Sequence, residues 1–524
     1  MFCNHAAESS ADSRSCQARL KVGSKVQSFI NARIYDGFRK AVTEEFNEIY
    51  IIDLKGDAHT SGERRRREGG NIFSNRIKVG VAVYFLIRHE DAEGCRIFYN
   101  AVPDCARAEE KIAYLRENRF TELRFDPIHP DKRYNWINLA ENEWEDSIPA
   151  ATKETKFASP STEVNSVFRD FYIGVVTARD EWATDLSRES LSRKMRFFIG
   201  EYDSHRPDTT AFDTVIKWSR NLRRNLARGL REPFDTDRIR RTLYRPYYRA
   251  YIYDSEVFLN DRAIAKVMTA GDNLAILFSG PNSPKSFTCL VTNVVPDFNS
   301  LSPAADGCRV LPLYDYTAAG ERVDNITDWA LAQFQAHYPS SQLPITKPDI
   351  FHYVYAVLHH PAYRQKYELN LKREFPRIPF YDDFWQWAEW GRRLMDLHLD
   401  YEQAEPYALA REDLDPRATR RAVVPRLIAR KETGVIEVDT LTTLRSVPPA
   451  AWEYRLGTYS ALEWVLERHK ERTPKDPTIR EKFNTYRFAD YKERVIDLLR
   501  RVCTVSVETM KIVRQMPGGD IERQ

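Results

Sequence analysis

Four consecutive arginines near the N-terminal end of the chain have side chains that could bind phosphate groups. They are Arg64, Arg65, Arg66 and Arg67, in a polar segment that also contains several glycines. Guanidinium groups on a loop can contact phosphates without a rigid geometry, because the attraction between the charges does not depend on one orientation. A solvated run of charges is the alternative interpretation of these residues.

A second candidate group combines arginine with tyrosine in the segment RPYYRAY at 245–251. Arg245 and Arg249 flank Tyr247 and Tyr248, an arrangement suited to phosphate contact and to approach toward base edges. Aromatic side chains buried in a core, with one arginine at the surface, are the alternative. Both interpretations are compatible with the sequence.

A third candidate group follows the string SGPNSP at 279–284. Lys285, Ser286 and Thr288 supply donors and acceptors that could reach a groove of DNA. Loops carry functional residues more often than cores do, which favours this interpretation. An ordinary hairpin turn would have the same composition.

Signals for other chemistry are weak in this sequence. Asp104 and the string EEK at 109–111 resemble a metal-dependent nuclease pattern, but their spacing is too short for the paired strands of such a site. His359 and His360 have no second ligand cluster, so we expect them to cap carbonyl groups or to meet solvent. We therefore expect no catalytic residue and no metal site.

The elements that position the first arginines are predicted from the spacing of apolar residues. Phe29–Phe46 has an apolar residue every four positions, which predicts a helix with one apolar stripe. Ile49–Leu54 and Val79–Ile87 are nearly continuous apolar runs, as in strands of an α/β sheet that is covered on both faces.

The rest of the chain changes character along its length. Short aromatic and β-branched runs from about 165 to 310 predict a mixed or β-rich module. Helices are expected beyond about residue 345. The apolar residues of 350–358 recur at helical spacing before Pro361, and helical patterns continue in Leu371–Leu399 and Val495–Val513.

Length and composition limit the class of protein. A chain of 524 residues exceeds what one core supports, so two or three domains are expected. A hydrophobic fraction of 42% argues against disorder, and the lack of an apolar run of about 18 residues argues against a membrane span. The net charge of +3 is too small to identify a nucleic-acid-binding protein by itself. Seven cysteines without a C-x-x-C pair favour a reducing cytoplasm.

Several segments, taken together and in order, resemble one known family. They are LYRPYYRAYIY (243–253), KSFTCLVTNVVPDFN (285–299), LPLYDY (311–316), PDIFHYVYAVLHHPAYRQKY (348–367), FPRIPF (375–380), AWEYRLGTYSALEWVLERHK (451–470) and LLRRVCTVSVETMKIV (498–513). These strings look like the C-terminal region of type ISP restriction-modification enzymes. The segment 49–88 is similar to the late motifs of the adenine-specific methyltransferase domain that precedes that region.

The resemblance implies a fold and a domain layout. Residues 1–24 are expected to form a disordered or displaced start, 25–150 the C-terminal remnant of the adenine methyltransferase domain, 151–515 a target-recognition (specificity) domain, and 516–524 a tail. The expected fold class is α/β. An incomplete methyltransferase-like (Rossmann-type) sheet comes first, and a mixed α/β to mostly helical recognition domain follows.

The function that the resemblance implies is sequence-specific recognition of double-stranded DNA in a restriction-modification system, a form of phage defence. Family members join a nuclease, an ATP-driven translocase, an S-adenosylmethionine-dependent adenine methyltransferase and a recognition domain. The Gly-rich cofactor turn, the Asn-Pro-Pro-Tyr motif and the G-x-x-x-x-G-K-[ST] motif do not occur in this sequence. We therefore expect no cofactor in this chain and no enzymatic activity from it alone.

The expected partners are double-stranded DNA and a polypeptide that supplies the N-terminal half of the methyltransferase. No membrane partner is expected. A decayed, non-catalytic fragment is one alternative, and a module that binds proteins without DNA specificity is another.

Phe73, in the string GGNIF, is the candidate for stacking on a flipped base. Methylation of an adenine amino group holds the extruded base against an aromatic face, and a Gly-Gly-Asn turn allows a close approach of the backbone. Packing of Phe73 in the sheet is the alternative.

Overall fold

A computed structural model describes residues 18–30, 35–58, 66–73, 78–89, 92–131, 134–137, 142–156, 164–208, 212, 214–281, 283, 285–302, 307–317, 319–339, 343–415 and 422–518. The chain divides into two compact units, Met1–Asn142 and Glu143–Gln524, which are called the N-terminal and C-terminal units below. None of the helices in the described residues is long and apolar enough to cross a membrane.

A five-stranded mixed sheet forms the centre of the N-terminal unit. Its strands are β1 (Ala18–Val26), β2 (Glu48–Asp53), β3 (Val81–His89), β4 (Arg96–Ala101) and β5 (Asp126–Ile128), accompanied by helices α1 (Asp36–Glu45) and α2 (Ala108–Glu117). The spatial order is β1-β3-β2-β4-β5. Strands β2 and β4 are parallel, whereas β3 is antiparallel to β1 and β2, and β5 is antiparallel to β4.

Apolar side chains cover both faces of this sheet. Ile49 and Ile51 of β2 belong to a buried cluster that includes Val42 of α1. Ile52 belongs to a different cluster, against which Leu115 of α2 packs. Because successive side chains of a strand point to opposite faces, the two clusters lie on opposite sides of β2. The predicted covering of both faces is confirmed.

The helix predicted over Phe29–Phe46 is shorter in the structure. A 3-10 helix occupies Gln27–Ile30, α1 begins at Asp36, and residues 31–34 lie outside the described part. Val42 is buried as the apolar stripe predicts. Phe46 is buried too, but it adopts an extended conformation directly after α1.

The C-terminal unit contains several small sheets. Its strands are β6 (Ile148–Pro149), β7 (Tyr172–Ile173), β8 (Thr184–Asp185), β9 (Ile239–Arg245), β10 (Tyr248–Tyr253), β11 (Ala275–Ser279), β12 (Cys289–Thr292), β13 (Val295–Pro296), β14 (Cys308–Pro312), β15 (Tyr314–Tyr316), β16 (Arg322–Asp324), β17 (Arg377–Ile378), β18 (Ala410–Asp413), β19 (Pro425–Arg430), β20 (Val435–Asp439), β21 (Thr442–Arg445), β22 (Arg455–Leu456) and β23 (Tyr459–Ser460). The four-stranded sheets have the orders β13-β9-β10-β8, β12-β11-β14-β7 and β18-β21-β20-β19.

The C-terminal unit also contains helices. They are α3 (Lys153–Lys156), α4 (Asp180–Ala183), α5 (Arg188–Ser204), α6 (Arg220–Ala227), α7 (Ala263–Thr269), α8 (Asp328–His337), α9 (Lys347–His359), α10 (Pro361–Lys366), α11 (Glu368–Arg373), α12 (Phe384–Leu399), α13 (Pro449–Glu453), α14 (Ala461–His469) and α15 (Lys492–Gln515).

Helix α9 lies inside one of the cores of the C-terminal unit. Its residues from Ile350 to Leu358 are buried except for His352, so the helix is apolar on nearly all sides. Gly391 of α12 lies so close to the carbonyl oxygen of His352 that a Cβ atom would collide with it. The glycine therefore permits direct backbone contact between α9 and α12.

The mixed α/β fold predicted from the sequence is confirmed, with three differences in the C-terminal half. The helical pattern predicted for Leu371–Leu399 is interrupted, since α11 ends at Arg373, β17 occupies Arg377–Ile378 and α12 begins at Phe384. Pro376 and Pro379 explain the break, because proline does not continue a helix. Pro361 follows α9 as predicted, but it also begins α10, where its missing N–H group is not needed. The sheet β18–β21 interrupts the helical region at 410–445, which the sequence interpretation did not include.

Candidate nucleic-acid interface

A buried lysine holds the loop that follows β2 in the N-terminal unit. Lys111 of α2 is fully buried, and its Nζ donates hydrogen bonds to the carbonyl oxygens of Leu54, Glu68 and Gly70 at 2.8, 2.8 and 2.7 Å. An ammonium group has three donors, and three carbonyls around it satisfy them all. The two ends of the loop are therefore fastened to one side chain.

The Gly-Gly-Asn turn at 69–71 makes close contact with the backbone of Ala106. Gly69 has a φ of +64°, and a Cβ atom on it would collide with the carbonyl oxygen of Ala106. The N–H of Gly70 donates to that same oxygen at 3.1 Å. Asn71 is buried, and its Nδ2 donates to the carbonyl oxygen of Val79 at 2.8 Å while its Oδ1 accepts from the N–H of Phe73 at 3.1 Å.

These contacts present one aromatic side chain and two arginines at the surface. Phe73 is 60% exposed, so the alternative that it packs in the sheet is wrong. Arg66 and Arg67 are also exposed, and Nε of Arg67 lies 4.0 Å from Oδ2 of Asp104. Arg64 and Arg65, from the same predicted group, lie outside the described residues.

Arg245 occupies an interior position in the C-terminal unit, unlike the surface position that phosphate contact requires. Its Nη1 lies 2.8 Å from Oδ1 of Asp297, and both side chains are buried. Burial raises the pKa of Asp297 to about 7, although the positive charge of Arg245 acts in the opposite direction. The structure therefore gives Arg245 the role of compensating a buried carboxylate.

Tyr247 and Arg249 also have interior partners in place of the expected DNA contacts. Tyr247 is 1% exposed, and its hydroxyl donates to the hydroxyl of Tyr454 at 3.1 Å. Nη1 of Arg249 donates to Oε2 of Glu402 at 3.0 Å, and its Nη2 donates to the carbonyl oxygen of Leu399 at 2.9 Å. Because Tyr247 is enclosed and the charge of Arg249 is neutralised, both are left out of the interface proposed below.

The third group lies on the hairpin that connects β11 and β12. Lys285 is half-buried, and its Nζ donates to Oγ1 of Thr458 at 3.0 Å. Ser286 is exposed, whereas Thr288 is 2% exposed and its N–H donates to Oγ of Ser279 at 3.0 Å. Lys285 and Ser286 are thus accessible at the surface, and Thr288 is a structural residue of the hairpin.

The residues that weakly suggested metal chemistry have separate partners in the structure. Asp104 is exposed and its Oδ1 lies 2.5 Å from Nζ of Lys55, whereas Lys111 is buried in its carbonyl site. His359 contacts the carbonyl oxygen of Tyr355, and His360 contacts that of Pro517, so the predicted carbonyl contacts are present. Both histidines are only 4% exposed, so they do not meet solvent. The described residues contain no group of three or more His, Cys, Asp or Glu side chains that could hold a metal ion.

One exposed basic surface was missing from the predicted site residues. It is formed by the arginines of α6, which lie opposite its buried leucines. The cluster of arginines is visible in the sequence, because the segment from Lys217 to Arg231 contains six basic residues and no acidic one, but a charge run by itself is also typical of a solvated face.

Comparison with known proteins connects this geometry to one family. The model of the type ISP C-terminal specificity domain matches residues 166–498. The chain is similar to DrdV, solved as a DNA complex by cryo-electron microscopy, with 46% identity, a TM-score of 0.84, and coverage of 97% of this chain and 51% of that one. It is similar to a nuclease-deletion mutant of the type ISP restriction-modification enzyme LlaGI in complex with a DNA substrate mimic, with 27% identity, a TM-score of 0.76, and coverage of 96% and 39%.

The ATP-dependent type ISP restriction-modification enzyme LlaBIII, solved bound to DNA, shares the fold at 24% identity, with a TM-score of 0.79 and coverage of 97% of this chain and 33% of that one. No curated protein matches the chain. The chain spans about half the length of DrdV and smaller shares of LlaGI and LlaBIII. Since the family model covers more than half of its residues, the chain belongs to the family of type ISP C-terminal specificity domains.

Proposed function

We propose that this chain recognises a specific sequence in double-stranded DNA, as the specificity part of a type ISP restriction-modification system. The likeness to DrdV over nearly the whole chain is the observation that carries the proposal, because that protein was solved as a complex with DNA. The match to the specificity-domain model supports the same function.

The proposed function assigns different tasks to different parts of the chain. Residues 151–515 act as the target-recognition domain, and residues 25–150 are the end of an adenine-specific methyltransferase domain. The mixed sheet of the N-terminal unit, with a parallel pair at its centre, supports the second assignment. Sequence is read in the grooves of DNA, while contacts to phosphates fix the register of the protein.

The accessible candidates divide by the chemistry of their side chains. Arg66 and Arg67 contact phosphates, together with Arg64 and Arg65 of the same run. Lys285 and Ser286 supply groove donors from an exposed hairpin. Phe73 stacks on an extruded base, because its ring is exposed while its backbone N–H is fixed by Asn71.

Cofactors and location follow from the same proposal. S-adenosylmethionine as methyl donor and ATP as the fuel for translocation belong to intact enzymes of the family, and neither is assigned to residues described above. A second polypeptide that supplies the N-terminal half of the methyltransferase is the proposed protein partner. Because the proposed ligand is DNA, we place the protein in the cytoplasm.

The test is a selection of DNA sites by the purified 524-residue chain. The protein is incubated with a randomised duplex library at 50 and 200 mM salt, and the retained DNA is sequenced. Enrichment of one site supports the proposal. If the folded protein enriches no site, the proposal is contradicted, and a non-catalytic fragment or a protein-binding module is favoured.

The hairpin offers a matched pair of variants for this selection. Lys285→Gln is expected to relax the preference at one position of the site, with a cost of about 1 to 3 kcal/mol for the favoured base. Lys511→Gln removes an exposed lysine paired with Glu508 on α15, and it serves as the control. An unchanged preference in the Lys285 variant would remove Lys285 from the interface.

A further inference from the structure

Helix α6 in the C-terminal unit carries an exposed face made of arginine. Arg220, Arg223, Arg224 and Arg228 are all exposed, and Arg228 is the residue that caps the C-terminal end of the helix. Positions three, four and eight apart lie on one side of an α-helix, so the four guanidinium groups share one surface. This surface is called the α6 arginine face below.

The opposite side of α6 is fastened to the core of the C-terminal unit. Leu222 and Leu226 are buried in a cluster with Phe258 and Leu191. Asn225 donates from Nδ2 to the carbonyl oxygen of Val257 at 2.8 Å. The helix is therefore rigidly positioned, and its arginines extend from a fixed base.

Both ends of α6 are also held by specific hydrogen bonds. Oγ of Ser219 accepts from the N–H of Leu222 at 3.2 Å, which caps the first turn. After the last turn, Gly229 has a φ of +70°, and the hydroxyl of Tyr202 donates to the carbonyl oxygen of Leu230 at 2.9 Å. Hydrogen bonds thus fix both ends of α6, although the charges between the two ends are unfavourable for a helix.

The charges of α6 oppose each other, and Arg220 also opposes the helix dipole. Arg220 and Arg224, and likewise Arg224 and Arg228, are four positions apart, where like charges destabilise a helix. Arg220 stands in the first turn, where the partial positive charge of the helix end disfavours a cation. A bound polyanion would remove both penalties.

Several other exposed arginines of the C-terminal unit are paired with acidic neighbours. Examples are Arg411 with Glu493, Arg430 with Glu437 and Arg445 with Glu412, at 2.7, 2.9 and 2.6 Å. In the part of the chain that the structure describes, the four arginines of the α6 arginine face form no ion pair. The guanidinium group of Arg223 lies 4.6 Å from the centre of the aromatic ring of Phe212.

We propose that the α6 arginine face binds the phosphate backbone of duplex DNA. This inference rests on the proposed function and adds a surface that positions the protein on its target. An eight-residue helix is about 12 Å long, and one strand of duplex DNA carries one negative charge per about 3.4 Å of axis, which is about four charges over that length. Four guanidinium groups over that length match the charge density of a DNA backbone, and contacts of this kind do not depend on sequence.

The test compares the salt dependence of DNA binding between variants of the full chain. The quadruple variant Arg220→Gln, Arg223→Gln, Arg224→Gln and Arg228→Gln removes the four positive charges of the α6 arginine face. It should leave the helix intact, because glutamine has a helix propensity close to that of arginine. Fluorescence anisotropy measures the dissociation constant on a selected duplex and on a random duplex from 50 to 200 mM salt. The slope of log K against log salt is expected to decrease in magnitude by about 0.9 for each phosphate contact that is lost, or roughly 2 to 4 in total.

Two controls separate loss of binding from loss of folding. The double variant Arg430→Gln and Arg445→Gln is compared with Arg224→Gln and Arg228→Gln, since each pair removes two exposed arginines. The thermal midpoint of the α6 variants is expected to stay the same or to rise, because repulsion between like charges is relieved. Only the α6 variants are expected to lose salt dependence.

The outcomes for the inference and for the proposed function are distinct. If the wild-type chain prefers one sequence but the quadruple variant keeps the full salt slope, the inference is overturned and the proposed function stands. If the wild-type chain binds without any preference but the quadruple variant loses the slope, the proposed function fails and the phosphate surface stands. If the wild-type chain does not bind duplex DNA at 50 mM salt, both are overturned.

Discussion

Buried histidines illustrate how single residues determine the response of this protein to pH. His469 of α14 is 5% exposed, and its Nδ1 lies 2.8 Å from the carbonyl oxygen of Val465. Burial lowers its pKa from 6.5 to about 4. Between these two values the unfolded chain binds a proton that the folded chain does not bind. The stability contributed by neutral His469 is therefore present above pH 6.5 and is lost as the pH falls toward 4.

We predict that His469→Gln flattens the acid side of the stability curve. The unfolding free energy of the wild-type chain should lose about 1.4 kcal/mol per pH unit through this residue between pH 6 and 4.5. Urea unfolding at several pH values measures the difference between variant and wild type. Protonation of Asp297 acts in the opposite sense, but it is common to both proteins and cancels in the comparison. Equal slopes would contradict the lowered pKa.

The pair formed by Arg245 and Asp297 gives a second prediction at this scale. Arg245→Gln leaves a buried carboxylate without its partner, which destabilises a protein by about 3 to 5 kcal/mol. The pKa of Asp297 is raised to about 7, so its stabilising protonated form is lost as the pH rises. The destabilisation by Arg245→Gln should therefore be larger at pH 8 than at pH 6.

The matched variant for this pair removes both charges. Arg245→Gln combined with Asp297→Asn should recover much of the lost stability, and the recovery should appear mainly at pH 8. Urea unfolding at pH 6 and pH 8 measures the recovered stability and its pH dependence. A loss of DNA binding by Arg245→Gln without any loss of stability would instead support the phosphate contact first expected of Arg245.

At the scale of elements, the sequence predicts long regular segments better than contacts between distant residues. Helix α9 was predicted because its apolar residues recur at helical spacing, and β2 because it is nearly all apolar. The interior positions of Arg245 and Tyr247 were not predictable. Their partners Asp297 and Tyr454 lie 52 and 207 positions away, and no local pattern connects them.

The sheet β18–β21 was missed for a different reason. Its strands are short, between four and six residues, and β18 is exposed at all four positions, so the alternation of apolar and polar residues is weak. The buried apolar residues of the sheet, Leu427, Ile436, Val438 and Leu444, are few and spread over three strands. Among the candidate site residues, the sequence left Phe73 undecided between stacking on a base and packing in the sheet, because its exposure depends on the contacts of Asn71 and the glycines beside it.

The loop between β2 and the Gly-Gly-Asn turn gives a prediction at this scale. Lys111→Met keeps an unbranched chain but removes the donor to three carbonyl oxygens. The oxygen of Glu68 still accepts from the N–H of Gly56 at 3.0 Å, whereas those of Leu54 and Gly70 lose the ammonium donor, and an unpaired buried carbonyl costs about 1 to 3 kcal/mol. Hydrogen exchange measured by mass spectrometry should become faster in peptides that cover Gly56 and Gly70. Lys40→Met, on the exposed side of α1, is the matched control. Unchanged exchange in the Lys111 variant would show that this lysine does not fasten the loop.

At the scale of the whole molecule, bulk charge cannot explain attraction to DNA. The chain has 79 basic and 76 acidic residues, so its mean field is close to neutral. Any strong salt dependence must come from local surfaces where exposed basic residues are concentrated. Two such surfaces belong to different units, the Arg66–Arg67 pair in the N-terminal unit and the α6 arginine face in the C-terminal unit.

We predict that the effects of these two surfaces on DNA binding add. If each surface contacts its own phosphates, then Arg66→Gln with Arg67→Gln should lower the magnitude of the salt slope by about 1 to 2, independently of the state of α6. Anisotropy titrations of the wild type, the Arg66–Arg67 variant, the α6 variant and their combination test whether the two effects are independent. Additive changes in log K would indicate two separate backbone contacts. A slope that is unaffected by the Arg66–Arg67 substitutions would remove the N-terminal unit from the phosphate interface. It would also assign the salt dependence to the C-terminal unit, where the family model matches.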